Sequence, residues 1–168
     1  RRTRELLTRS NRICEDICLS QAIEEGDEKS IGAALPMDSD DWGQLLQNLD
    51  AGFSETLLQL IDRTGKKDSE IYIKANVDRK LFSKIRNNMD YKPSKATALA
   101  YCIALGLSVE EAEELLALAG YRFEAGCLND QIVKCCLEQK VYSANVVNSY
   151  IYRFSELYGI ERPALVGS

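Results

Sequence analysis

The sequence contains no histidine. That removes the commonest general base, the commonest metal ligand and the usual partner of a serine or cysteine nucleophile. No apolar run approaches the roughly 18 residues that a membrane span needs, so no membrane partner is expected. The opening "RRTRELLTRS" is basic, but no apolar segment follows it, so it does not read as a signal peptide. None of the six cysteines, Cys14, Cys18, Cys102, Cys127, Cys135 and Cys136, forms a C-x-x-C pair. Cys14 and Cys18 are spaced to stack on one helical face, but a zinc site needs four ligands at recognisable spacing. The expected state is reduced cysteine packed as a small apolar residue in a cytoplasmic protein. No metal and no cofactor are implied. No nucleophile–base constellation stands out either, so no catalytic residue is assigned and an enzyme is not expected.

What is present is enough for a packed domain. The 168 residues are 45% hydrophobic, which allows one full-sized domain, or a small domain with an appendage. The chain opens on Arg1, not Met, which points to a fragment or processed form with room for an upstream domain. The net charge of −5 is unevenly spread. Between Arg63 and Lys95 there are ten Lys/Arg and four acids, a net of +6, and the remainder carries −11. Such segregation points to a local anionic partner and not to general stickiness for anions.

Helical periodicity dominates the chain. Leu6, Ile13 and Ile17, widened by Leu7, Cys14, Cys18 and Ala22, predict a helix over Arg4 to Ile23. Residues 24–50 hold eight acids against one lysine and read as a solvated linker, with a short helix near Trp42 to Leu49. From Phe53 the capping signals are dense. Ser54 is expected to cap the first helix, with Leu57, Leu58 and Ile61 inward and Gly65 ending it. Asp68 is expected to cap the second and Asp78 the third. Ser94, after Pro93, is expected to cap a fourth helix, with Leu99, Ile103 and Leu107 at helical spacing and Gly106 closing it. Ser108 with Glu111 spells a capping box for a fifth, closed by Gly120. Two more helices are expected near Asn129 to Gln139 and Asn145 to Tyr158. Tyr150, Phe154 and Tyr158 share a face there, as core or as a dimer contact. No convincing period-2 strand is found.

The stretch "DSEIYIKANVDRKLFSKIRNN" holds two helical patterns separated only by Asn76, Val77 and Asp78. From Lys67 to Leu116 the pattern resembles the helix-turn-helix domains of the Cro and phage-repressor type. The family's small mid-helix residue falls at Tyr72, its alanine before the turn at Ala75 and its turn glycine at Asn76. The buried aliphatic falls at Val77, the N-cap at Asp78, and the paired buried positions of the recognition helix at Phe82 and Ile85. "KPSKATALAYCIALGLSVEEAEELL" resembles the stretch that follows in the family. Asp68 falls where the family often has a phosphate-touching Gln, and would repel a phosphate. From Phe53 to about Tyr158 the chain looks still more like a module at the C-termini of diverse bacterial proteins, including some that carry a macro domain.

The resemblance implies an all-α fold: a five-helix repressor-like core with extra C-terminal helices and an N-terminal helix. The expected organisation is a helix over 1–23, an acidic linker over 24–50 and the helix-turn-helix domain with its extension over 51–168. On the recognition helix Arg79, Lys80, Ser83, Lys84 and Asn87 avoid the inward set of Leu81, Phe82 and Ile85. They are the candidate contacts to base edges of duplex DNA. Lys66, Lys67, Tyr91, Lys92 and Lys95 flank them and suit phosphates. The function expected is a bacterial DNA-binding transcriptional regulator, or the regulatory module of a larger protein, pairing as a homodimer on a palindromic site. The alternative is a protein-interaction module of the same fold, coupled to a partner protein or an upstream effector or signalling domain.

Overall fold

A computed structural model describes residues 52–167. The Arg4 to Ile23 helix, the acidic linker and Trp42 lie outside them. Among the described residues there are seven α-helices and no strand. They are α1 (Phe53–Thr64), α2 (Asp68–Lys74), α3 (Arg79–Asn87), α4 (Lys95–Leu105), α5 (Val109–Leu118), α6 (Leu128–Glu138) and α7 (Ala144–Leu157).

Helix α4 is the axis of the fold. Every residue from Thr97 to Ala104 is buried. A helix that is apolar all round belongs in the interior, and α4 packs against α1, α2, α5, α6 and α7. Leu57, Leu60 and Ile61 of α1, Leu115 and Leu116 of α5, Ile132 and Val133 of α6, and Val147 and Ile151 of α7 close around it in one core. Tyr150 and Phe154 are buried in that core and Tyr158 packs against it, so this aromatic face is internal. Burial pushes the thiols of Cys102 and Cys136 up to about 12. Both are free, as is the half-buried Cys127. Cys135 is also buried but is disulfide-bonded, against the expectation of reduced cysteine.

Several helix boundaries follow the local chemistry. Ser94 Oγ accepts from the Thr97 amide at 3.3 Å. Ser108 and Glu111 form the full reciprocal capping box, at 3.2 and 2.8 Å. The two late helices begin and end within a residue of their expected limits. Two caps are corrected. Gly52, not Ser54, precedes α1, and Ser54 is buried inside its first turn, its hydroxyl donating to the Tyr91 carbonyl at 3.3 Å. Lys67, not Asp68, precedes α2, and Asp68 is its first helical residue. An acid is favoured there too, because the helix dipole stabilises negative charge through the first turn. Leu58 and Leu81, expected inward, are half-buried at the margin of the core.

Candidate nucleic-acid interface

The corner between α2 and α3 is built by the backbone. Ala75 is fully buried at the end of α2, and Asn76 takes the left-handed conformation at φ 55°. The Asn76 amide donates to the Ile73 carbonyl and the Val77 amide donates to the Tyr72 carbonyl, both at 2.9 Å. This crossed pair is the Schellman closure, which satisfies the last carbonyls of a helix and turns the chain. Asn tolerates this backbone better than other residues with a Cβ, so it serves where glycine would. Val77 is then buried as a wedge, and the Asp78 carboxylate accepts from the Lys80 amide at 2.8 Å to start α3.

Two side chains fix the roll of α3. Phe82 and Ile85 are buried, and α3 leans mainly on α1 and α2. Tyr72 of α2 packs against α3. It is half-buried, with its ring tilted over Phe82 at a centroid distance of 5.3 Å. Once the inward face is set, helical geometry turns Arg79, Ser83 and Asn87, and beside them Lys80 and Lys84, to the opposite side. Arg79, Lys80, Lys84 and Asn87 are exposed, and Ser83 is half-buried.

The flanking residues divide. Lys66 and Lys67 are exposed in the connection into α2, and Lys92 is exposed after α3. Arg86 pairs with Asp68, which joins the last turn of α3 to the first turn of α2 and brings Lys67 to that end. Tyr91 is half-buried, its carbonyl held by Ser54. Lys95 is engaged elsewhere: its Nζ lies 2.5 Å from Asp130 and 3.9 Å from Glu124. The Asp130 side chain is only 1% exposed and also accepts from the Glu124 amide at 2.7 Å. Lys95 is therefore the countercharge of a buried carboxylate and not a freely displayed cation.

No family model, curated protein or solved structure matches this chain. What the surface does must therefore be argued from its own residues.

Two features of the local charge system were out of reach of sequence reasoning. Lys74, half-buried at the end of α2, has its ammonium held below the usual lysine range, first by burial and second by the charge of Lys66. An anion beside the pair would oppose this shift by favouring the charged ammonium. The Arg86–Asp68 contact is the other. It answers the expected repulsion of a phosphate by Asp68, because that carboxylate already faces a guanidinium. Among the described residues, no group of three His, Cys, Asp or Glu is placed to hold a metal, and no helix is long and apolar enough to cross a membrane.

Proposed function

We propose that α1 to α5 form a repressor-like helix-turn-helix core and that α3 enters the major groove of duplex DNA. The chain would then act as a bacterial transcriptional regulator, or as the regulatory module of a larger protein. The observation that carries this reading is the Asn76–Val77–Asp78 corner, which leads directly into a helix with Arg79, Lys80 and Lys84 outward and Phe82 and Ile85 inward. In this arrangement the first residues of α3 approach base edges. Arg79 is suited to fork onto a guanine, Lys80 follows it, and Ser83 and Asn87 read bases directly or through water. Lys66, Lys67 and Lys92 contact phosphates, with Tyr91 against the sugar-phosphate chain. Lys95 contributes least, because its charge already faces Asp130. Pairing of two copies would match a palindromic site.

The test is a band-shift with random and genomic duplexes. The parent protein is expected to retard DNA at ~50 mM salt and to weaken steeply as salt rises. The double variant Arg79→Ala, Lys80→Ala is expected to bind at least about tenfold more weakly and with relaxed sequence preference, whereas Lys67→Ala is expected to weaken all duplexes alike and make the salt slope shallower by roughly one unit. Absence of retardation at ~50 mM salt sinks the proposal.

The second reading is the interaction module, in which Ile73 on α2 and Met89 just after α3, 68% and 50% exposed, would be covered by a protein partner. A stoichiometric partner that dissociates on changing Tyr72 or Arg79, and is indifferent to added DNA, would replace the DNA reading with this one.

A further inference from the structure

After α7 the chain does not leave the fold. Residues 160–167 run back across it without helical structure and are held by main-chain hydrogen bonds together with the Val166 and Leu165 side chains. Asn148 on α7 is buried and pairs with both main-chain groups of Val166. The Val166 amide donates to Asn148 Oδ1 at 2.9 Å, and Asn148 Nδ2 donates to the Val166 carbonyl at 3.1 Å. A side-chain amide here does what a neighbouring β-strand would do. Asn129 on α6 donates to the Ala164 carbonyl. The Gly167 amide donates to the Ala96 carbonyl in the first turn of α4 at 3.1 Å. The Val166 side chain is buried in the main core.

The segment ends against the corner. Gly167 has φ +99°, and a Cβ there would lie 2.7 Å from the Asn76 carbonyl oxygen and 3.1 Å from that of Ala75. Those carbonyls belong to the turn that aims α3. Only a residue without a side chain can lie so close to them with that backbone.

We infer that residues 164–167 are a latch that holds the α2–α3 corner against α4, with Asn148 and Asn129 as its catches. The segment is seated on α4, α6 and α7 by main-chain bonds and the buried Val166 side chain, and position 167 has room for no side chain at all. Helices α2 and α3 bury Ile71, Phe82 and Ile85, and the corner between them adds Ala75 and Val77, a shorter buried set than the continuous run along α4. Local opening is set by such contacts, and the latch adds a restraint that α2 and α3 lack. This holds whether or not α3 contacts DNA.

The experiment is native-state amide exchange on the full chain, on a Gly167→Ala variant and on a chain cut after Pro163. Exchange at the Asn76 and Val77 amides is compared with that at Leu115 and Leu116 in α5. The expected result is corner exchange at least tenfold faster in both variants, with the α5 amides within threefold of the parent. The latch is overturned if either variant leaves corner exchange within threefold of the parent. It is overturned equally if α5 accelerates by the same factor as the corner, since the segment would then stabilise the whole fold and not this turn.

Discussion

Helices α3 and α4 follow one another in the chain but put their residues to opposite uses. In α4 the central run is buried on every side, and a change anywhere along it meets packed neighbours. In α3 two inward residues do the packing, and most of the outer stripe meets solvent. Stability is therefore carried mainly by α4, and the outer face of α3 is left free for the recognition proposed above. The contrast teaches where each kind of mutation should register: in the unfolding curve for α4, in the binding curve for the outer face of α3.

The sharpest break of this contrast would come from paired truncations. Ile103→Ala in α4 removes a fully buried side chain and is expected to cost about 2–5 kcal/mol. Lys84→Ala on α3 is expected to stay within about 0.5 kcal/mol of the parent. Urea unfolding of the two variants measures both, and similar losses would abolish the distinction. A smaller effect of opposite sign is expected inside α4 itself. The buried Tyr101 hydroxyl finds no hydrogen-bond partner among the described residues. Such a group carries an uncompensated desolvation penalty of roughly 1–3 kcal/mol, so Tyr101→Phe should raise the thermal midpoint, and a lowered midpoint would show that the hydroxyl is satisfied. The smallest effect is expected at the Arg86–Asp68 pair on α3. Asp68→Asn should cost under about 1 kcal/mol and less as salt is added, because both partners are partly exposed. Unfolding at low and high salt checks it, and a loss insensitive to salt would mean that Asp68 acts by packing and not by charge.

How legible these features were depended on how far apart their partners lie in the chain. The Ser108–Glu111 box and the Asp78 cap were readable because each is complete within four residues. The positions of Phe82 and Ile85 were readable because helical spacing alone sorts them from Arg79 and Lys84. Ser54 and Asp68 were misassigned by local rules, since a hydroxyl or a carboxylate is at home both before a helix and in its first turn. Their actual partners, Tyr91 and Arg86, are tertiary. Lys95 looked like one more member of a basic island until the fold brought Asp130 beneath it. The segment after Gly159 gave no periodic signal at all. It is held by main-chain bonds to Asn148, Asn129 and Ala96, and main-chain bonding leaves little trace in residue type.

The closure that makes the α2–α3 corner is used repeatedly. Crossed amide bonds of the same kind end α4 at Gly106, α5 at Gly120, α6 at Lys140 and α7 at Gly159. Because the corner is drawn by backbone groups and wedged by Val77, its shape does not depend on which side chains stand at 79, 80, 83, 84 and 87. Those five positions form an alphabet detached from the page that carries it. A lineage bearing this scaffold can rewrite those five positions, and with them the chemistry of the outer face, without renegotiating the fold.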